Sequence, residues 1–283
     1  MTDLAPLLQY YGVSGNIGSV VATGTAIGTG TTKTRLNGDA VVQLPEKIQN
    51  LVGAVPWLTH SAPDPDEGTI VKYAIESDDF SPNPFEFMVS SGSHLGAIGS
   101  NKTSKEELWV MNAKLNGGEK VSVYGTAGSA IGSNAKAGTA LWVSDSPPAK
   151  PEIYGKLGTY TINTTAAGKA AGSNISLTGA QTLIEVFGSI TPGISVVTAD
   201  IEAAGYFEIV SSDWTPNLPA RWGADPNHAV EATSGEVFSN ITRLPCSRTL
   251  AGRGTTILED SFVVETALTT QEVDFQIGAR YLK

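Results

Sequence analysis

Charge is scarce in this chain. Asp, Glu, Lys and Arg make up 16% of its 283 residues, against roughly 25% in an average soluble domain. Gly, Ser, Thr and Ala take their place. A surface so poor in charge suits a protein covered by neighbouring subunits; it also suits a secreted or heat-stable β-protein with a Ser/Thr surface. Positive charge is scarcer still: 18 Lys and Arg stand against 28 Asp and Glu, a net charge of −10. Phosphate binding needs clustered cations, so no direct nucleic-acid binding is expected. Arg243, Arg248 and Arg253 form a local basic group, but Glu236, Glu259 and Asp260 flank it.

Cysteine is nearly absent. The single Cys246 excludes an intrachain disulfide framework, and a small buried or half-buried side chain is expected there. The three histidines, His60, His94 and His228, are scattered and match no metal-ligand spacing. We expect no transition metal, no cofactor and no catalytic residue. No G-x-S-x-G elbow supports a hydrolase. Gly24 to Thr34 (GTAIGTGTTKT) fails as a phosphate loop, because no Gly precedes Lys33 and no helical pattern follows. No apolar run reaches eighteen residues, so no membrane-spanning helix is expected. The N-terminus lacks a basic segment followed by an apolar one, so no secretory signal is expected. Leu4 to Tyr11 is short and apolar; packing on the chain's own sheet is expected, with a neighbour or a lipid surface as the other reading.

Strand signals fill the space these absences leave. Short β-rich runs alternate with Gly, Pro, Asn and Ser clusters: Ser19 to Ala22, Thr69 to Ile75, Leu108 to Asn112, Lys120 to Tyr124, Ala140 to Val143, Tyr160 to Asn163, Tyr206 to Val210, Phe262 to Glu265 and Glu272 to Ile277. In the last run Val273, Phe275 and Ile277 fall on one face and Asp274 and Gln276 on the other, the pattern of a sheet with one buried face. Helical signals are few and short. Ile48, Leu51, Val52 and Val55 follow Pro45 at helical spacing; Ala180, Leu183, Ile184 and Phe187 follow Thr178 and Gln181, which have the spacing of a capping box. Ser104 and Glu107 make another such box. The first two segments also fit buried strands, since short apolar runs carry both readings.

Ser144 to Glu152 (SDSPPAKPE) reads as a linker near the middle of the chain, because its prolines cannot continue a central strand. On either side of it a motif recurs. Ile75 to Asn83 reads IESDDFSPN and Ile209 to Asn217 reads IVSSDWTPN, with Pro82 and Pro216 134 positions apart. We therefore expect two domains, 1–146 and 147–283. The motif reads as a structural corner: Asp79 and Asp213 cap the turn, Phe80 and Trp214 anchor it to the core, and Pro82 and Pro216 fix an extended exit.

Other polar groups carry weaker signals. Asp64, Asp66 and Glu67 suit a solvated acidic turn first and a calcium site second. Asn101, Asn163, Asn174 and Asn240 begin glycosylation sequons, which permit glycosylation without requiring it.

Two β-sandwich halves of similar size, a Pro-rich joint, no active-site constellation and a low-charge surface together resemble the double jelly-roll major capsid proteins of tailless icosahedral viruses. The resemblance lies in the organisation of the whole chain. It implies an all-β fold of two tandem eight-stranded jelly-roll sandwiches with a few short helices. It also implies a non-enzymatic virion protein, made in the host cytoplasm, whose homotrimers form pseudo-hexagonal capsomers. These would contact neighbouring capsomers and other capsid proteins and would tile over an internal membrane or the genome. The chain departs from that pattern in lacking a basic or apolar C-terminal anchor. The alternative is a two-domain β-sandwich adhesin, spike or carbohydrate-binding module, in which Trp57, Trp109, Trp142, Trp214 or Trp222 stacks on sugars.

Overall fold

The computed structural model describes residues 12–27, 32–60, 69–78, 80, 84–91, 102–105, 108–128, 136–161, 168–192, 201–215, 218–224, 227–229, 241–250, 254–267 and 273–283. Among them 21 strands and no helix form. The first ten strands are β1 (Ile17–Ala26), β2 (Thr34–Arg35), β3 (Val42–Gln43), β4 (Asn50–His60), β5 (Thr69–Glu76), β6 (Phe85–Ser91), β7 (Lys102–Lys105), β8 (Trp109–Lys114), β9 (Lys120–Ala127) and β10 (Lys136–Ser144). The rest are β11 (Tyr154–Leu157), β12 (Gly168–Ala171), β13 (Ile175–Thr178), β14 (Thr182–Pro192), β15 (Ile201–Val210), β16 (Trp214–Thr215), β17 (Ala220–Gly223), β18 (Asn227–Ala229), β19 (Thr242–Leu250), β20 (Thr255–Ala267) and β21 (Val273–Leu282).

They form four antiparallel sheets. Sheet 1 runs β1-β10-β4-β7, with β8 also on β4; sheet 2 runs β2-β9-β5-β6, with β3 also on β9. Sheet 3 runs β11-β21-β14-β19-β16; sheet 4 runs β12-β20-β15-β17, with β13 also on β20 and β18 on β15. Segments that share a partner are interrupted halves of one strand: β2 with β3, β7 with β8, β12 with β13, β17 with β18. Counted so, sheets 1 and 3 both have the order first, eighth, third, sixth, and sheets 2 and 4 both have second, seventh, fourth, fifth. β16 is a short addition to the edge of sheet 3. This is the jelly-roll topology twice over: residues 17–144 form one eight-stranded roll and residues 154–282 a second.

Alternation builds each sandwich. In β9, Val121 and Val123 point into the core while Lys120 is exposed, and β13 alternates in the same way. One continuous cluster of buried side chains runs through both rolls, carried by Tyr73, Phe87, Trp109, Phe187, Phe207, Phe262 and Phe275. The strand runs read from the sequence lie on strands here, except that Leu108 just precedes β8, that Thr161 alone of Tyr160 to Asn163 makes an isolated bridge, to Phe275, and that Ile162, Asn163 and Glu272 lie outside the described residues.

Three expectations are corrected. The two helix-like segments are the third strands of the two rolls, β4 and β14, and Ser104 lies in strand β7. Pro45 to Ile48 is a turn closed by Ile48 N–H on the Pro45 carbonyl at 3.0 Å. The helical spacing comes from a β-bulge. Leu51 pairs with Val143 and Gly53 with Trp142, which leaves Val52 over; Leu183 pairs with Tyr281 and Glu185 with Arg280, which leaves Ile184 over. An extra residue shifts the period-2 pattern by one, so apolar residues fall three and four apart. Finally, β21 is buried on both faces: Asp274 and Gln276 are as enclosed as Phe275 and Ile277. Tyr160 O–H donates to Asp274 Oδ2 at 2.7 Å, and Gln276 Nε2 donates to the Gly158 carbonyl at 2.8 Å.

Candidate functional site

The two copies of the repeated motif occupy the same corner of the two rolls, at the end of the fourth strand, β5 or β15. Ile75 and Ile209 are wholly buried, and Ser77 and Ser211 follow them. Phe80 N–H donates to the Ser77 carbonyl at 3.2 Å, and the Phe80 ring meets Phe85 edge-on at 4.9 Å. At the second corner the serine hydroxyl makes the cap: Asp213 N–H donates to Ser211 Oγ at 3.2 Å, and that hydroxyl donates to the Ile257 carbonyl at 2.7 Å. Trp214 is 2% exposed and lies under the Arg248 guanidinium at 4.5 Å. Asp79, Pro82 and Pro216 lie outside the described residues.

The larger constellation, which no motif signalled, is the seam between the rolls. The edge strands β6 and β8 of the first roll lean on the outer face of sheet 3. Trp109 meets Phe187 edge-on at 4.8 Å, and Arg243 caps its other side at 3.9 Å. Glu185 holds Arg280 at 2.8 Å and Arg243 at 3.3 Å, while Arg280 Nη2 donates to the Val110 carbonyl at 2.5 Å. Glu86, 4% exposed, binds Lys72 at 2.9 Å within its own roll and reaches across to Lys156 Nζ and Leu157 N–H, both at 2.8 Å. Ser189 Oγ donates to Ser90 Oγ at 2.8 Å. Gly155 permits the approach: a Cβ there would lie 2.2 Å from the Glu86 carbonyl oxygen.

On sheet 1, Ala54 and Leu58 point into the core, so Val55 and Trp57 point outward; Leu141 and Val143 do likewise for Trp142. Val55 and Trp142 pack there on a second buried cluster, Val52, Leu108, Val110 and Ile153, which Ile184 and Leu282 of the second roll also join. Trp57 lies over Gly138, whose added Cβ would meet the ring at 2.4 Å. Trp57 and Trp142 are half-buried and Val21 is 49% exposed. On sheet 4, Glu208 binds Lys169 at 2.7 Å and Arg221 at 2.6 Å, which hold its carboxyl below the usual range, the Lys169 hydrogen bond foremost. Beside it lies an open depression of about 380 Å³ lined by Tyr206, Arg221, Trp222, Gly223 and Glu265. Trp109 and Trp214 are buried, Trp222 is largely buried but lines that depression, and Trp57 and Trp142 are half-buried.

Other candidates sit apart. Asp64, Asp66, Glu67, Asn101, Asn163, Asn240, His94 and Leu4 to Tyr11 lie outside the described residues. Asn174 is exposed, at a left-handed backbone position with φ 64°. His60 lies in β4 and His228 in β18, in different rolls. Cys246 is half-buried, and burial pushes its thiol up to about 11. Among the described residues no group of three or more His, Cys, Asp or Glu is placed to hold a metal.

No family model matches the chain, and no curated protein matches its sequence. Solved structures do align along nearly its whole length. A chain of the atomic structure of Sulfolobus Turreted Icosahedral Virus aligns over 95% of this chain and 91% of its own, at 9% identity and a TM-score of 0.46. The crystal structure of the STIV MCP aligns over 95% and 97%, at 9% identity and TM-score 0.45. A chain of the Cowpea mosaic virus top component, from naturally occurring empty particles, aligns over 93% and 91%, at 8% identity and TM-score 0.36.

Proposed function

We propose that this chain is a structural virion protein, a major capsid protein whose homotrimers form the pseudo-hexagonal capsomers of an icosahedral shell. One observation carries the reading. The seam is heterologous: the edge strands β6 of sheet 2 and β8 of sheet 1 in the first roll meet the outer face of sheet 3 in the second, so two unlike surfaces are joined. The second roll keeps its own version of the first surface, and the first roll keeps its own version of the second. A heterologous contact repeated between copies closes into a ring when its rotation permits. Two like rolls per chain and three chains per ring give six rolls around one axis.

Low charge and the absence of a recognisable catalytic constellation favour the same reading, which is non-enzymatic. On it the chain divides near Pro147 to Pro151 into domains 1–146 and 147–283. It is made in the host cytoplasm, resides in the virion, and contacts neighbouring capsomers, other capsid proteins and an internal membrane. Asp79, Phe80 and Pro82, with Asp213, Trp214 and Pro216, are the equivalent corner anchors of the two rolls. The competing glycan-binding reading rests on Trp57 and Trp142. Native mass spectrometry and negative-stain microscopy of the purified chain test the choice: trimers with a six-lobed outline are expected, whereas a monomer that binds a glycan array overturns the reading.

A further inference from the structure

The two rolls differ at one matched place inside the sandwich. Where the second strand of each roll is interrupted, a backbone N–H reaches across to the seventh strand. Leu36 N–H donates to the Val123 carbonyl at 2.8 Å in the first roll, and Gly172 N–H donates to the Asp260 carbonyl at 2.7 Å in the second. The register agrees: Val123 pairs with Ile75 and Asp260 with Ile209, the opening residues of the repeated motif. The next residue ties the interruption to the first-strand segment in both rolls. Thr23 N–H donates to Asn37 Oδ1 at 3.3 Å, and Thr159 N–H donates to Ser173 Oγ at 2.7 Å.

The backbone bonds match and the side chains do not. Leu36 and Val123, both buried, fill the place with hydrocarbon in the first roll. The second roll puts a glycine and a carboxyl there. Asp260 is 3% exposed, on the inner face of β20 between Leu258 and Phe262. A Cβ on Gly172 would lie 1.9 Å from Asp260 Oδ2, so the glycine is what admits the carboxyl, and one on Gly158 would lie 3.2 Å from the same oxygen. The backbone N–H groups of Asn174 and of Asp260 itself face the carboxyl, but neither oxygen completes a hydrogen bond. The titratable groups of the surrounding elements face elsewhere. Lys169 of β12, with Tyr206 and Glu208 of β15, stands on the outer face of sheet 4, where Glu208 binds Lys169 and Arg221. Glu259 and Glu265 of β20 are exposed. Lys156 of β11 binds Glu86, and Tyr154 stacks on Tyr281 of β21. Asp274 and Arg280 of β21 bond to Tyr160 and Glu185.

A buried charge without a partner is costly. The carboxyl itself fills the space that Leu36 takes in the first roll, so a proton is the partner that fits. We infer that Gly172 and Asp260 form a proton-operated latch on the second strand of the second roll. Protonated, the carboxyl stays inside the sandwich and the interruption at 172–174 is closed; ionised, it draws water inward and the interruption opens. The strand so fastened, β12 with β13, is an edge of sheet 4. The first roll, with Leu36 and Val123 at the same place, has no such latch.

The test is hydrogen exchange of the full chain, read at single amides and corrected for the intrinsic pH dependence of exchange, with Leu36 N–H as the internal control for Gly172 N–H. Burial raises the folded value of the carboxyl from 3.8 to about 6. With the folded value above the unfolded one, the latch is held fully below pH 3.8 and is released as pH rises through about 6. The opening equilibrium at Gly172 and Thr159 should therefore rise about tenfold between pH 5 and 7, while that at Leu36 and Thr23 stays level. Asp260→Asn should level the Gly172 profile. If that variant melts early, Asp260→Val, which copies Val123, carries the same expectation. A Gly172 profile that is flat in the wild type, that rises together with Leu36, or that still rises in either folded variant overturns the latch.

Discussion

Val52 and Ile184 are the same residue of the fold, one in each roll: the extra residue at a β-bulge in the third strand, 132 positions apart. Sheet partners on the other side skip in the same way, Ala113 to Val110 in one roll and Arg248 to Pro245 in the other. The bulge sets which residues of each third strand face outward. In the second roll it aims Glu185 and Phe187 at the seam. In the first it aims Val55 and Trp57 at the outer side of sheet 1, where Val55 packs on Val52, Leu108, Val110 and Ile153 and Trp57 stays half-buried.

Gly155→Ala should pry the seam apart. Its Cβ would fall 2.2 Å from backbone, the Glu86 carbonyl oxygen, which cannot swing aside as a side chain can. A loss of about 2 kcal/mol or more is expected. Urea unfolding should change from one transition to two, as the rolls lose their coupling. An unchanged single transition would show that the contact adjusts freely.

Asp260 gives the protein a pH dependence opposite to that of an ordinary paired carboxylate. Burial raises its folded value from 3.8 to about 6, against the smaller opposing effect of backbone N–H groups. With the folded value above the unfolded one, this contribution is fully present below pH 3.8 and is lost as pH rises through about 6. Asp260→Asn should remove that slope and stabilise the chain at pH 7 by about 1–3 kcal/mol. Melting temperatures of both proteins between pH 4 and 7 check it; parallel curves would contradict it.

Trp214→Ala should misfold or fail to assemble. Truncating a wholly buried aromatic costs about 3–5 kcal/mol, a large share of a domain's stability, and here it also strips Arg248 of its ring. Phe80→Ala, at the corresponding corner, should act in the same direction. Normal melting with lost glycan binding would instead favour Trp214 as a sugar platform.

Legibility in the sequence followed the range of the physics. The strand run Lys120 to Tyr124 is a local signal and lies in β9, whereas the alternation of Val273 to Ile277 marked a strand but not its second buried face. The third strands misled because a bulge turns alternation into a helix-like spacing, as at Leu51, Val52 and Val55. The seam was invisible. Trp109, Phe187, Arg243 and Arg280 come from four strands far apart in the chain, and no spacing rule links them. Nor did composition separate Trp57 and Trp142 from the buried indoles, since each stands among similar strand residues.

Cys246 should react slowly with iodoacetamide at pH 8. Its thiol is pushed up to about 11 and half-buried, with Leu183 carbonyl 3.9 Å away. Alkylation should accelerate sharply in urea, since the thiolate is the reactive form. Equal rates in native and unfolded protein would contradict this.

The central claim is that two unlike faces of one chain close a ring of three. Native mass spectrometry of the purified full chain at micromolar concentration and physiological salt tests it most directly. The account requires a dominant species of three times the 29.5 kDa chain mass, with interfaces of more than about 1,000 Å² per pair. A spectrum showing only the single chain would contradict it.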